Sequence, residues 1–486
     1  MSRLSRDTAS FSLPIENRAC HDTPPPMNIL RPTHETERTR MRRASGRAAL
    51  GAILLLGGAL LPACTPALPE GPNLVLVTLD TVRFDHTSLG SYERDTTPRL
   101  RALAAEGASF ELAYAPTATT GPTHATLFTS LLPPQHGVIK NGVALDGDLV
   151  TFADHLSDEG WRTAAFVSSY VMSERWGWSQ GFGHFDDVFD PAGATKRKKN
   201  WEGHKVDGGF DRRASVTTAR ARAWLERQRD GRPFFLFVHY YDPHAPYLPP
   251  IGFAGRFSTE EPTPLEGSIS AYDEEIAYTD DQLGLLLDAL DELGLAENTL
   301  VVVTADHGEG LLDHGHMEHG VHLYDEQVRV PLLVRLPGVI TPGIRPDAPV
   351  EMLDVAPTLA DLLGVPVPEE FTGRTLAATL RGEGSLDPLH PVRLFRRHYA
   401  PQPDQKSPRG VQYGVRVGDW KYIERPVEGQ PELYNLRSDP AERHNVFTRH
   451  PDVGARLAPL LVRGPEDAPK LAPEEAERLE ALGYVE

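Results

Sequence analysis

Asp306 and His307 close an apolar run and are followed by four more histidines, a set of oxygen and nitrogen donors that could hold a metal ion. The stretch, residues 300–324, reads LVVVTADHGEGLLDHGHMEHGVHLY and includes His314, His316, His319 and His322. The same composition also suits a solvated, His-rich surface loop, and the stretch by itself leaves both readings open. Asp80 stands in a second such setting, directly after the apolar run NLVLVTL. Thr120 opens the segment TGPTHATLFTS, where Gly then Pro signals a loop entering a helix. Its hydroxyl would lie near unpaired backbone N–H groups and the positive end of the helix dipole, which favour an anion. Capping the helix is the plainer use of such a threonine. A third apolar run leads into HYYDPHAPY, so His239, Asp242 and His244 come out at one strand end. These could complete a second metal site or hydrogen-bond beside a single metal.

The elements that must position these groups follow from the pattern. Residues 300–303 are apolar, three of them β-branched valines, and too few for a helix, which predicts a strand buried on both faces of a parallel sheet. Asn73 to Leu79 reads the same way. Ligands of open α/β sheets bind outside the carboxyl ends of the strands, where both aspartates would emerge. A helix is predicted to start at Thr97-Pro98. Residues 271–293 carry apolar side chains at helical spacing (Ile276, Leu283, Leu286, Leu287, Leu290), a helix for packing rather than chemistry. Another helix begins at Asp354. Residues 376–392, rich in Gly and Pro, mark a subdomain boundary. Short antiparallel strands are expected at 411–417, 420–424 and 432–436, and a capped helix at 472–483. No internal repeat is visible.

The net charge of −19 and the single short basic run, Lys196 to Lys199, exclude nucleic acid as a partner. Residues 1–40 lack periodicity and read as disordered or as an over-extended start. Residues 41–63 have the basic and apolar regions of a signal peptide, ending in Leu61-Pro62-Ala63-Cys64. This resembles a bacterial lipobox, which implies lipidation of Cys64, a tether over 64–72, and an exported protein anchored on the periplasmic side of a membrane. No cysteine would remain beyond Cys64, so the fold must stand without disulfides.

The ordered motifs NLVLVTLDTVRFDH, APTATTGPTHATLFTSLLPPQHGV, FFLFVHYYDPHAPY, VVVTADHGEGLLDHG, LYDEQVRVPLLVRLPG, GVRVGDWKYIERP and ELYNLRSDPAERHNV together resemble the sulfatase family of the alkaline phosphatase superfamily. The resemblance implies an α/β fold: a large, mostly parallel mixed sheet sandwiched by helices over 73–380, and a smaller antiparallel sheet subdomain over 390–486. It implies Asp80, Asp306 and His307 as metal ligands and Thr120 as the nucleophile on the same metal. His124 stands where sulfatases place an arginine supporting the nucleophile, and His244 matches a substrate-contacting histidine. His319 or His322 falls near a substrate-contacting lysine of many relatives.

Two departures from the family shape the chemistry. Sulfatases proper carry Cys or Ser at the Thr120 position and convert it to formylglycine. Threonine cannot yield that aldehyde, so no formylglycine is expected. Thr81 also replaces the usual second aspartate after the first strand. The expectation is therefore a hydrolase of sulfate or phosphate esters acting through an unmodified threonine activated by one divalent ion, Zn or Mn in preference to Ca. A phosphodiesterase or phosphoryl-group transferase on envelope lipids or glycans is the first alternative. A pseudoenzyme that binds an anionic glycan is the second.

Overall fold

The apolar runs of the sequence form the middle of one sheet. In the computed structural model, which describes residues 70–189, 200–201, 204–206, 209–399, 408–427 and 429–464, eight strands assemble side by side. They are β1 (Asn73–Leu79), β2 (Ala108–Tyr114), β3 (Arg162–Val167), β4 (His184–Asp186), β5 (Phe234–Tyr240), β6 (Thr299–Ala305), β7 (Arg329–Arg335) and β8 (Val350–Glu351). Their order is β8-β2-β7-β6-β1-β5-β3-β4. Only β7 runs against its neighbours β6 and β2; every other pairing is parallel. β1, β5 and β6 are buried along their whole length, as unbroken apolar strands require. The register sets Leu79 opposite both Tyr240 and Ala305, so the residues that follow β1 and β6 emerge together at one edge.

Helices α1 (Pro98–Glu106), α2 (Thr120–Thr129), α3 (Ala214–Leu225), α4 (Pro264–Glu292) and α5 (Val355–Leu363) connect these strands. α1 starts with the expected proline. α4 begins well before residue 271, because Thr263 and Glu266 form a reciprocal capping box. Its first turns are exposed or half-buried, and Ile269 already packs against the core, so the apolar spacing extends further back than residue 271.

A second sheet of β9 (Val392–Tyr399), β10 (Gly410–Val417), β11 (Trp420–Glu424) and β12 (Glu432–Asn435) is antiparallel throughout. β9 was not among the predicted strands, since its sequence VRLFRRHY carries three arginines. One of them, Arg396, is fully buried and donates to the Pro408 carbonyl at 2.9 Å. This sheet packs Val392, Leu394, Ile423 and Tyr434 against Tyr114, Leu323, Tyr324 and Val328 of the larger body. The signal segment, Cys64, the run 196–199 and the predicted helix at 472–483 lie outside the described residues.

Candidate active site

At the shared strand edge, ligand atoms of Asp80, Asp306 and His307 lie within 4.8 Å of one another, and all three residues are buried. Thr120 Oγ1 stands 3.3 Å from His307 Nε2. From β5, His239 brings Nε2 to 3.3 Å from Asp80 Oδ2. The Asp306 carboxylate is used unevenly. Oδ1 accepts from the Thr81 and His307 backbone N–H groups at 3.1 and 2.8 Å, whereas buried Oδ2 accepts no hydrogen bond among the described residues. A buried carboxylate oxygen without a donor is costly unless a cation faces it. Two carboxylates and an imidazole in a dry pocket are a donor set for a divalent ion, so the residues present fit one.

Local structure holds these groups in place. Thr81 adopts φ 60°, a left-handed conformation strained for a β-branched residue. Its carbonyl accepts from the Tyr272 hydroxyl at 2.6 Å, and the same hydroxyl accepts from Arg83 N at 3.1 Å. Helix α4 thus anchors the turn that carries Asp80. The next residue after Tyr272, Asp273, gathers His86, Tyr92 and Arg94 within 2.7 Å, and Asp280 accepts from the first free N–H groups of α1. Gly308 is required by close approach: a Cβ there would meet the Glu326 carbonyl at 2.1 Å. His124 fixes the start of α2. Its Nδ1–H donates to the Thr120 carbonyl at 2.8 Å, so Nε2 accepts from the Thr78 hydroxyl at 2.9 Å. Burial holds both His124 and His239 down at about 4, hence neutral.

A sequence profile described as Sulfatase matches residues 72–365, and one described as N-sulphoglucosamine sulphohydrolase, C-terminal, matches 313–461. The chain belongs to the sulfatase family. N-acetylglucosamine-6-O-sulfatase of Bacteroides thetaiotaomicron is 25% identical to this family member, over 77% of this chain and 82% of its own. The ulvan-active sulfatase of Formosa agariphila is 26% identical over 78% of each. A structure solved with its substrate D-glucosamine-2-N,6-O-disulfate superimposes with a TM-score of 0.67 at 23% identity, covering 80% of this chain and 97% of that one. Phosphonate monoester hydrolase from Silicibacter pomeroyi does so at 0.65 and 23%, covering 80% and 94%. This sulfatase-family protein is a hydrolase acting on ester bonds, built on the α/β fold its motifs implied.

The remaining candidate residues of the sulfatase-family protein divide cleanly. His319 lies over the metal group, its ring 4.4 Å from that of His307 and 4.9 Å from that of His244. His322 does not join them: it packs against Tyr324 at 5.1 Å and His314 at 6.3 Å, and burial pushes it down to about 3. Asp242 also turns away from the metal group. It caps α3 through Ala214 N at 2.6 Å and pairs with Arg213 at 3.1 Å, which removes it as a second metal ligand. Burial raises it to about 6 despite that arginine. Thr119, not Thr120, occupies the N-cap position, so Thr120 is not the cap of this helix. Gly121 N donates to Asn141 at 2.7 Å, Pro122 has no N–H, and Thr123 N bonds to the Thr119 carbonyl. One buried acid was not singled out from sequence. Glu309 is fully buried, is raised by burial to about 7, and places Oε1 3.2 Å from His319 Nδ1. Its position two residues after His307 was the available signal.

Proposed function

We propose that this protein is an exported, lipid-anchored hydrolase that cleaves sulfate or phosphate esters through the unmodified Thr120 hydroxyl. The observation that carries the reading is the buried convergence of Thr120 Oγ1, 3.3 Å from His307 Nε2, with Asp80 and Asp306. Asp80, Asp306 and His307 would hold a divalent cation, Zn or Mn in preference to Ca. When bound, such an ion neutralises charge on an anionic ester and lowers the proton affinity of a facing hydroxyl. Thr120, fixed by the first turn of α2, attacks the central atom of the ester, and the leaving alcohol departs. His319 and His244, side by side over this spot, hold the ester oxygens and exchange protons with the leaving alcohol and with the water that releases the enzyme.

The second half-reaction favours phosphate. A formylglycine hydrate expels sulfate by returning to the aldehyde, a route closed to threonine, so water must displace at the central atom. A threonine phosphate is the more tractable intermediate. The test is a panel of p-nitrophenyl phosphate, phosphonate and sulfate esters on the metal-loaded enzyme. Phosphorus esters should be turned over faster than the sulfate, and Thr120→Ala should abolish every activity. Undiminished turnover by Thr120→Ala would overturn the nucleophile. Labelled fatty acid should be incorporated in cells and lost in Cys64→Ala.

A further inference from the structure

The chain that leaves β6 through Asp306 and His307 doubles back on itself. Leu311 N donates to the Met317 carbonyl at 2.9 Å, and Leu312 N to the His316 carbonyl at 3.0 Å. Gly310 lies so close under the returning chain that a Cβ there would meet the His316 and Glu318 carbonyls at 2.3 and 2.5 Å. Carried outward, the same register sets Glu309 opposite His319, and their side chains meet: Glu309 Oε1 lies 3.2 Å from His319 Nδ1. Glu309 is held firmly for that contact. Its N–H donates to the Glu326 carbonyl at 3.1 Å, and its own carbonyl accepts from Arg83 Nη1 at 3.3 Å. Its side chain is fully buried, and Oε1 also accepts from Gly310 N at 3.3 Å. An oxygen acting as acceptor pairs with Nδ1–H on His319, so Nε2 is the nitrogen that gives or takes a proton. His244 is held differently, with Nδ1 2.7 Å from the uncharged carbonyl of Ala245.

We infer that Glu309 is a positioning residue: it fixes the ring orientation and tautomer of His319 and makes His319, rather than His244, the group that protonates the leaving alcohol. The inference rests on the proposed placement of the ester at Thr120, and it divides work that the proposed mechanism gives to both histidines. A carboxylate stabilises the positive charge His319 carries before it gives up its proton, through a hydrogen bond roughly twice as strong as one to a neutral carbonyl. Thr120 Oγ1, its proton already lost to solvent, forms a bond to the central atom as the bond to the ester oxygen breaks. The electron pair stays on that oxygen, which takes the proton from His319 Nε2. In the release step water bonds to the central atom and passes one proton to His319 Nε2, and the pair of the broken bond returns to Oγ1. His244 hydrogen-bonds the ester oxygens throughout.

The test compares p-nitrophenyl and phenyl esters, of phosphate and of sulfate, on the metal-loaded enzyme. p-Nitrophenolate leaves with little help, whereas phenolate needs a proton. The quantity read is the ratio of kcat/KM for the two leaving groups, in whichever series is turned over. Glu309→Met, which keeps the shape and removes the acceptor, should raise that ratio at least ~10-fold. The isosteric Glu309→Gln, which carries the test if Glu309→Met does not fold, should raise it at least ~3-fold. His319→Ala should raise the ratio as well, and adding Glu309→Met to it should raise it no further. His244→Ala should slow both esters alike. A merely structural loss also slows both esters together and leaves the ratio where it was, so an unmoved ratio in Glu309→Gln would overturn the positioning role. Loss of the divalent ion from Glu309→Gln would overturn it too, by assigning that carboxylate to the metal. Because the ratio reports on the leaving oxygen alone, it is read whether or not Thr120→Ala is inactive. A failure of Glu309 is thereby separated from a failure of the nucleophile.

Discussion

Glu351, Asp354 and His390 bring two carboxylates and an imidazole as close together as Asp80, Asp306 and His307 do, with ligand atoms within 4.8 Å in both groups. Their surroundings differ. Glu351 accepts from Arg393 N and Nε at 2.8 and 3.0 Å and meets His390 at 3.3 Å. Asp354 accepts from Arg374 N and from Glu351 N at 3.0 and 3.1 Å, and pairs with the Arg374 guanidinium at 3.3 Å. Those carboxylates are saturated by arginines and backbone donors, and the group ties the β8 edge to β9. Asp306 pairs with no arginine or lysine among the described residues, and its Oδ2 accepts no hydrogen bond. Donor types and spacing are thus shared by a structural node and a candidate metal centre. What separates them is whether the protein supplies the countercharge itself.

The largest expected effect is at the metal group. Asp306→Asn should abolish divalent ion content, measured by elemental analysis after loading, whereas Glu351→Gln should leave it unchanged. Activity of Asp306→Asn should fall by more than about 100-fold, since even outer partners of metal ligands are worth 10–100-fold. Metal retained in Asp306→Asn, or lost in Glu351→Gln, would erase the distinction. Arg393→Met should do the reverse, keeping metal content while lowering unfolding stability by about 3 kcal/mol, because it strands a buried carboxylate; urea denaturation reads this directly.

Tyr272→Phe probes the scaffold between these extremes. It removes the donor to the strained Thr81 carbonyl and should cost roughly 1–3 kcal/mol of stability, with a drop in kcat that tracks the loosened Asp80. Acid sensitivity belongs to the structural node. Burial pushes Glu351 upward, but hydrogen bonds from His390 and Arg393 outweigh it and hold the carboxyl below the ordinary glutamate value of 4.5. Its ionised form therefore contributes stability above about pH 4.5, and this is lost as pH falls through the lower folded-state value. Glu351→Gln should flatten that part of the stability–pH curve; an unchanged acid limb would assign the sensitivity elsewhere. The smallest effect is expected at His322: His322→Asn should leave kcat/KM unchanged, while His319→Asn lowers it sharply.

Much of the centre was legible because strand ends announce themselves. The mostly apolar runs before Asp80, Asp306 and His239 specify buried parallel strands, and parallel neighbours deliver their next residues to one edge. The choice between His319 and His322 was not legible, since three positions along a loop give no direction to a side chain. Nor was the role of α4, whose apolar spacing predicts packing, although its inner face carries Tyr272, Asp273 and Asp280. Those polar residues are buried because each meets a partner from the segment 81–100, a match between elements about 180 residues apart. Strand β9 escaped for a related reason: Arg396 is buried where the carbonyls of Pro408 and Gly410 receive its guanidinium.

By itself, the sequence determined the fold class and the strand edge on which the acids and imidazoles converge, because these depend on residue type and on periodicity along the chain. Only the tertiary structure decided which carboxylates are met by arginines, that Asp306 Oδ2 accepts no hydrogen bond among the described residues, and which histidine lies over His307. Each of these depends on distances between segments that the chain brings together only when the sheet closes its register.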